Sequence, residues 1–254
     1  MVHNTGNNNG FAIGSLFDRI AGTYDKLNHL LSLNIDRRWR RKAVQSINPS
    51  FSEAVQSIIL DVAIGTADLT LEILRQGKAD HVIGLDVSQQ MMAIGKQKVQ
   101  KAGYADKVRF DYGSALEMPY EDHSFDAVTC AYGVRNFADL QQGLKEMYRV
   151  LKPGGELVIL EFSYPTNPII KACYNLYFLH ILPWIGKMLS HDKTAYQYLN
   201  TSVKNFPYGL AMVDHIKQAG FEHVTFRPLS MGITTLYYAY SSLSTDPISL
   251  VRSE

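Results

Sequence analysis

A loop of small residues and a single carboxylate are the first features of the sequence that could do chemistry. The loop, Gly65-Thr66-Ala67, follows the first short apolar run of the chain, and Asp86 closes the second such run. Small residues let the backbone approach a ligand, and the N-terminus of a following helix favours a carboxylate there. A carboxylate at the position of Asp86 can accept hydrogen bonds from both ribose hydroxyls of an adenosine. These residues predict a site for an adenosine-containing ligand.

Two classes of enzyme use such a carboxylate: nicotinamide-dependent dehydrogenases and S-adenosylmethionine-dependent methyltransferases. A dinucleotide needs the tight GxGxxG turn around its pyrophosphate, and the Gly65-Thr66-Ala67 loop lacks that pattern. The methionine tail of S-adenosylmethionine needs no such turn. The loop alone does not exclude a dehydrogenase. Together with the motifs of the rest of the chain, it favours a methyltransferase.

The ends of the third and fourth apolar runs carry further candidates. Ser114 and Ala115 follow the third run. A doubly wound methyltransferase fold would place the adenine there, although an ordinary turn at a strand end explains these residues equally well. Arg135 and Asn136 follow the fourth run and would face the methyl acceptor. Their side chains suit the stabilisation of an oxyanion such as a phenolate, while Arg135 itself cannot serve as the base because it stays charged. A surface ion pair is the alternative for Arg135.

The elements that must position these residues follow from periodicity. Apolar residues at helical spacing predict N-terminal helices before the first strand, and from residue 58 short apolar runs alternate with helical stretches. The third and fourth runs are Val108–Tyr112 and Phe125–Ala131, and Ser88 is the expected N-cap of the helix before the third. Lys152-Pro153-Gly154-Gly155 predicts a turn before a fifth strand at Leu157–Phe162. We predict a single α/β domain with a doubly wound, Rossmann-like, mostly parallel sheet. Its predicted parts are a helical N-terminal cover (11–48), a cofactor-binding core (56–163), a helical substrate-cover insertion (164–207), and a closing helix with two strands (208–241).

Composition excludes several other classes. The 254 residues carry a net charge of +1, which gives no surface built to follow nucleic-acid phosphates, and the acceptor loop lacks the Asn/Asp-Pro-Pro-aromatic motif of base N-methyltransferases. The two cysteines and eight histidines show no ligand spacing, so no metal site is predicted. No signal peptide and no membrane-spanning segment is evident, which predicts a cytoplasmic protein. The basic run at residues 37–42 could meet anionic headgroups with Trp39 at the interface, or could form a solvated helix face around a buried Trp39.

Two stretches of the chain resemble the signatures of the ubiquinone/menaquinone biosynthesis C-methyltransferase family. Tyr24-Asp25-Lys26-Leu27-Asn28, followed by Leu31-Ser32 and Trp39, resembles the first signature, and Arg149-Val-Leu-Lys-Pro-Gly-Gly155 resembles the second. Gly133-Val-Arg-Asn136 is similar to the family's Gly-Leu-Arg-Asn. The resemblance covers nearly the whole chain, and its Tyr24–Trp39 part is the specific one. Departures lie at Leu27, Asp36, Ile64 and Ala67, where the family often has Met, His, Cys or Gly, and Gly.

The resemblance implies a class I, seven-stranded methyltransferase fold with S-adenosylmethionine as methyl donor. It implies cofactor contacts at Thr66, Asp86, Ser114 and Ala115, beside Gly65. The acceptor would be a prenylated quinol, with demethylmenaquinol favoured by the Gly-Thr-Ala-Asp loop and a polyprenyl benzoquinol as the alternative. Another small-molecule methyltransferase and a non-catalytic cofactor-binding module in the same fold are more distant alternatives.

Three residues are candidates for work on the acceptor: Arg135, Asn136 and Tyr24, the last of which could instead belong to the apolar stripe of its helix. The aromatic insertion around Tyr174–Trp184 is expected either to form a channel for the prenyl tail or to complete the core. With it, the protein could touch the inner face of a membrane. No oligomeric state is predicted.

Overall fold

The computed structural model describes residues 14, 15, 17–19, 21, 22, 32, 34–47, 56–176 and 201–243. Short apolar runs form its strands: β1 (Ile58–Val62), β2 (His81–Asp86), β3 (Val108–Tyr112), β4 (Phe125–Ala131), β5 (Leu151–Phe162), β6 (Glu222–Leu229) and β7 (Thr234–Tyr240). Amphipathic stretches form its helices: α1 (Ile35–Gln45), α2 (Asp68–Arg75), α3 (Gln89–Lys101), α4 (Leu140–Val150), α5 (Pro168–Leu176) and α6 (Leu210–Gln218). Short 3₁₀ turns follow β4 (Val134–Asn136) and β6 (Ser230–Gly232).

The strands form one seven-stranded sheet in the order β3-β2-β1-β4-β5-β7-β6. β1 to β5 are parallel, whereas β7 runs antiparallel to β5 and to β6. From β1 the chain winds outward to β2 and β3, then returns to place β4 on the other side of β1. The carboxyl ends of β1 and β4 therefore border the switch point, which is where open α/β sheets bind ligands. The doubly wound, mostly parallel sheet confirms the predicted fold class.

Helices cover both faces of the sheet, so the central strands are apolar on both sides. On one face, α4 and α6 pack on β1, β4 and β5 through a cluster that includes Leu60, Val128, Leu144, Met147 and Ile216. On the other face, α1 and α2 pack on the same strands through a cluster that includes Trp39, Val44, Ile59, Ile73 and Val158. Helix α1 is thus part of the core, and it lies beside α2, which follows the loop after β1.

Strand β5 begins earlier than the sequence predicts. The Lys152-Pro153-Gly154-Gly155 stretch, predicted as a turn before a strand at Leu157–Phe162, lies inside β5. On the partner strand, Phe125 pairs with Leu151 and Ala127 pairs with Glu156, so the extra residues of β5 form a bulge. Gly154 has a φ of 74°, which suits glycine, and the amide of Gly154 donates to the carbonyl of Ser242 at 3.3 Å. The pairing on both sides of the turn makes it part of the strand.

The insertion is described only at its two ends. Helix α5 starts it, and residues 201–205 are helical near its close. Tyr174 of α5 is buried, whereas Leu176 is exposed. The remaining aromatic residues of the predicted channel lie outside the described residues. In the part of the chain that the structure describes, no helix is long and apolar enough to cross a membrane.

Candidate active site at the switch point

A pocket opens at the carboxyl ends of β1, β2 and β4. It contains about 1060 Å³ of empty space, counting its open mouth, which is the scale of a site for a cofactor-sized ligand. The loops after β1, β2, β3 and β4 all contribute to its wall, and α1 closes one side with Arg40. The apolar part of the wall includes Ile64, Leu85, Met91, Leu116 and Phe137. One cavity therefore borders every strand end that the sequence singled out.

The loop between β1 and α2 has an unusual backbone. Ala63, Gly65 and Ala67 have φ values of 56°, 53° and 64°, in the left-handed region where alanine is strained. The alternation folds the loop back tightly, and the amide of Ile64 donates to the carbonyl of Leu85 at 3.1 Å. Ala67 caps α2 without a side-chain hydrogen bond, and Thr66 and Asp68 on either side of it line the pocket. The positive end of α2 is thus directed to the cavity, where it favours an anionic group.

Asp86 is held at the pocket wall by backbone donors. Its Oδ2 accepts the amide of Gly65 at 2.8 Å, and its Oδ1 accepts the amide of Ser88 at 2.8 Å. Burial raises the pKa of Asp86 to about 6, although these hydrogen bonds act in the opposite direction. Each carboxylate oxygen has two lone pairs, so the group can accept further donors from the cavity. This geometry suits a pair of neighbouring hydroxyls.

All of the expected cofactor residues border this one cavity: Gly65, Thr66, Asp86, Ser114 and Ala115. Thr66 accepts a hydrogen bond from Lys98 Nζ at 3.2 Å, and the hydroxyl of Ser114 accepts the amide of Leu116 at 3.1 Å. Ser88, expected as the N-cap of α3, does accept the amide of Met91 at 3.2 Å. The residues that the sequence singled out therefore lie together in the structure. Their contacts with a cofactor stay a prediction.

The acceptor candidates have different surroundings. Asn136 lines the pocket, and its amide nitrogen lies 3.5 Å from the carbonyl of Tyr132. Arg135 turns away from the cavity: its Nη1 pairs with Glu161 Oε1 at 2.7 Å and donates to the carbonyl of Tyr132 at 2.5 Å. The side chains of Arg135 and Glu161 are 4% and 0% exposed, so this ion pair is buried and not at the surface. Tyr24 lies outside the described residues.

Asp61 is a residue of the site that sequence reasoning passed over. It lies within β1, is almost fully buried, and borders the pocket. Its carboxylate accepts the hydroxyls of Thr70 at 2.6 Å and Thr129 at 3.1 Å. Burial raises the pKa of Asp61 to about 6, against the effect of those two hydrogen bonds. The signal for it was present, because a lone carboxylate inside an apolar strand must be paired or used.

The surroundings of helix α1 decide between the two interpretations of the basic run at residues 37–42. Trp39 is 5% exposed, and its Nε1 donates to Ser230 Oγ at 2.9 Å, so an interfacial position for Trp39 is wrong. Arg40 is also buried, pairs with Asp36 at 2.8 Å and lies 3.3 Å from Asp68. The remaining basic residues of the run are exposed: Arg37, Arg38, Arg41 and Lys42. Asp36, where the family often has His, therefore holds Arg40 one helical turn away.

Within the described ranges, no group of three or more His, Cys, Asp or Glu side chains could hold a metal ion. The polar chemistry of the pocket is that of hydrogen bonds and fixed charges. The carboxylate of Asp61 lies within β1, that of Asp86 lies at the end of β2, and the amide of Asn136 lies after β4.

Comparison with known proteins shows the family of this chain. The model of the ubiE/COQ5 methyltransferase family matches residues 4–241. The chain belongs to this family. It is 44% identical over 227 residues to a demethylmenaquinone methyltransferase of Bacteroides fragilis, covering 89% of this chain and 91% of the relative. It is also 44% identical over 229 residues to the ubiquinone/menaquinone biosynthesis C-methyltransferase UbiE of Geotalea daltonii, covering 90% and 95%.

Solved structures share the fold at low sequence identity. The [4+2]-cyclase SpnF superposes with a TM-score of 0.67 at 16% identity, covering 92% of this chain and 97% of its own. A SAM-dependent methyltransferase of Thermotoga maritima superposes with a TM-score of 0.61 at 19% identity, covering 90% and 99%. The family member described here therefore has the class I methyltransferase fold.

Proposed function

We propose that this chain transfers a methyl group from S-adenosylmethionine to a ring carbon of a prenylated quinol, and that demethylmenaquinol is the acceptor. The observation that carries the proposal is the family, whose relatives named demethylmenaquinone methyltransferase share 44% and 42% of residues over about nine tenths of this chain. The pocket at the switch point supports it, because its groups match both the donor and an acceptor that develops negative charge.

The residues of the pocket fit the cofactor. Asp86 would accept the ribose hydroxyls, Ser114 and Ala115 would lie beside the adenine, and Gly65 and Thr66 would approach the methionine portion. The bound cofactor supplies an electrophilic methyl group on a sulfonium. A dinucleotide fits less well, because the loop after β1 lacks the glycine pattern that accommodates a pyrophosphate.

The protein's own contribution is positioning and charge. A quinol ring carbon is a weak nucleophile until the neighbouring hydroxyl loses its proton, so the site must stabilise a phenolate and hold the carbon in line. We propose that Asn136 donates to that oxygen from the pocket wall. Arg135 would add positive charge from behind the wall, shared with Glu161, and Tyr24 would act from the N-terminal cover. Glu161 does not suit the role of base, because its carboxylate is buried against Arg135.

The second candidate substrate is a 2-methoxy-6-polyprenyl-1,4-benzoquinol of ubiquinone biosynthesis. It is favoured by the relatives named UbiE, which are as similar to this chain as the demethylmenaquinone enzymes. The deciding experiment is methyl transfer from labelled S-adenosylmethionine to each reduced quinol in turn. Transfer to the naphthoquinol alone supports the proposal, and transfer to the benzoquinol alone replaces it with the second candidate. Cofactor binding without turnover of either quinol would identify a non-catalytic module.

The prenyl tail of the proposed acceptor would need an apolar surface. We propose that the insertion forms an apolar channel for this tail with the N-terminal cover, and that the exposed basic face of α1 allows contact with a membrane surface. Burial of a prenyl chain would contribute roughly 0.8 kcal/mol per CH₂, so shortening the chain should raise KM steeply. Replacement of Phe178 or Trp184 by Ser should remove this dependence without lowering the Tm. Equal KM values for short- and long-chain quinols in the wild type would contradict the channel.

A further inference from the structure

The charges that line the pocket are unevenly distributed. Among the described residues of its wall, three carry carboxylates, namely Asp61, Asp68 and Asp86, whereas Arg40 supplies the cationic side chain. A methionine portion carries both an ammonium and a carboxylate. The carboxylates of the wall can attract the ammonium, but they repel the carboxylate. Besides the N-terminus of α2, Arg40 is the positively charged group among the described residues of the wall that can attract the ligand carboxylate.

Arg40 is built into the wall by its position on α1. The residue is buried, its Nη1 pairs with Asp36 Oδ2 at 2.8 Å, and its Nη2 lies 3.3 Å from Asp68 Oδ2. Burial lowers the pKa of the guanidinium, but Asp68 and Asp36 outweigh this effect and the pKa is raised. The side chain is thus a permanent cation, fixed on one side and bordering the cavity on the other.

Arg40 is not required to neutralise the carboxylate of Asp68. Asp68 also pairs with Lys98, whose Nζ contacts Thr66 Oγ1 at 3.2 Å as well. A guanidinium has five N–H donors in a planar fork, and the two carboxylate contacts described here use its two terminal nitrogens once each. The fork matches a carboxylate bidentately, which an ammonium group does not. Arg40 therefore has both the charge and the donor capacity to bind a further carboxylate.

We infer that Arg40 binds the α-carboxylate of the methionine portion of the cofactor, beside the N-terminus of α2. The inference rests on the proposed use of S-adenosylmethionine. Asp86 and Arg40 then hold the two ends of the ligand, the ribose and the amino acid. Helix α1 is in this way part of the cofactor site and not only a cover over the sheet.

Ligands that differ in the amino-acid portion test the inference by calorimetry, with no quinol present. S-Adenosylhomocysteine carries the carboxylate, its decarboxylated analogue lacks only that group, and 5′-methylthioadenosine lacks the whole amino-acid portion. Arg40→Met should raise the Kd of S-adenosylhomocysteine by about 10- to 100-fold, the scale of a hydrogen bond between charged groups. The Kd of the other two ligands should change by less than about threefold, because they have no carboxylate for Arg40 to bind. Arg40→Lys should keep part of the affinity for S-adenosylhomocysteine.

Two controls separate binding from structure. Arg41→Met makes the same change at the next position of α1, where the side chain is 63% exposed, and should alter no Kd. Asp36→Asn weakens the anchoring of Arg40 while keeping its charge, and should preserve the preference for the carboxylate. Equal weakening of all three ligands by Arg40→Met would assign Arg40 to support of the loop and overturn the inference.

The wild type tests the inference independently of any folding defect in the variants. It should bind the decarboxylated analogue about 10- to 100-fold more weakly than S-adenosylhomocysteine. Equal affinity for the two would overturn the role of Arg40. Absence of binding by all adenosine ligands would instead overturn the cofactor and with it the proposed function. Tight binding without methyl transfer to a quinol would refute only the function and leave the Arg40 contact standing.

Discussion

The two ends of the pocket use charge in different ways. At the end proposed for the cofactor, the carboxylate of Asp86 is held by backbone amides and still faces the cavity. At the end proposed for the acceptor, Arg135 and Glu161 pair with each other inside the protein, and Asn136 lines the cavity. The first arrangement leaves charge available to a ligand, whereas the second uses charge to fix the shape of the wall. A charged residue at a strand end can therefore contact a ligand only if its side chain borders the pocket in the folded protein.

The largest effect is expected at the buried ion pair. Arg135→Ala leaves the carboxylate of Glu161 buried without its charged partner, which should lower the free energy of unfolding by about 3–5 kcal/mol. If Arg135 also stabilises the phenolate, kcat should fall by roughly 10²- to 10³-fold while the Kd of S-adenosylhomocysteine changes little. Urea unfolding and steady-state kinetics measure the two effects separately.

The double variant Arg135→Met with Glu161→Gln separates these two roles. It removes both charges but keeps a side-chain oxygen for the backbone amides of residues 135 and 162, which Glu161 accepts, so most of the lost stability should return. A kcat that stays low in the stable double variant supports a role in catalysis. Recovery of kcat together with stability would make the pair a purely structural element.

A smaller effect is expected at the cofactor end. Asp86→Ala should weaken binding of S-adenosylhomocysteine by about 2–3 kcal/mol, the scale of hydrogen bonds to a charged group. Asp111→Ala is the matched control, because Asp111 lies near the end of the neighbouring strand β3 but pairs with Arg109 and Tyr120 away from the pocket. Calorimetry of both variants makes the comparison. Equal losses, or none at Asp86, would remove Asp86 from the cofactor site.

The pKa of Asp86 predicts a pH dependence of binding. Since burial raises that pKa to about 6, the free protein takes up a proton at Asp86 as the pH falls through this value. A ligand that needs the ionised carboxylate binds fully above pH 6 and should lose about tenfold in affinity between pH 7 and pH 5. Asp86→Asn should abolish this dependence. Asp61→Asn is the control for the neighbouring carboxylate, whose pKa is also raised to about 6 by burial; a dependence that disappears only in that variant would reassign the titration to Asp61.

The smallest effect concerns the inner side of helix α1, where Trp39 packs into the core. Trp39→Phe keeps an aromatic ring in the core but removes the hydrogen bond to Ser230, and should lower the free energy of unfolding by about 1 kcal/mol. Ser230→Ala should cost a similar amount, and the double variant should cost less than the sum of the two. Binding to anionic vesicles should not change in either variant. Reduced vesicle binding by Trp39→Phe would restore an interfacial role for this residue.

Much of the fold could be predicted from local sequence. The bounds of β3 and β4 agree with their apolar runs, and Ser88 was identified as a helix cap, because these features depend on neighbours along the chain. The start of β5 could not be predicted, since the Pro153-Gly154 turn becomes part of the strand only through pairing with residues near Ser241 on a distant segment.

The site was predictable to the extent that the strand ends define it. Asp86 follows from its place at the end of β2, as do Ser114 after β3 and Asn136 after β4. The partners of Arg135 and Arg40 did not follow, because Glu161 and Asp68 meet them only in the folded protein. Whether a charge is buried is decided by packing between segments that the sequence separates widely. The periodic pattern of one helix therefore cannot predict which of its charged side chains are buried.

The left-handed alanines between β1 and α2 have an evolutionary consequence. Ala67 has a φ of 64°, in the left-handed region that glycine adopts without steric cost. An alanine there costs on the order of 1 kcal/mol relative to glycine, so the turn accommodates either of these small residues. A β-branched residue at 67 would meet a much larger penalty. Sequence variation at this turn is therefore limited by backbone geometry before any ligand imposes its own selection.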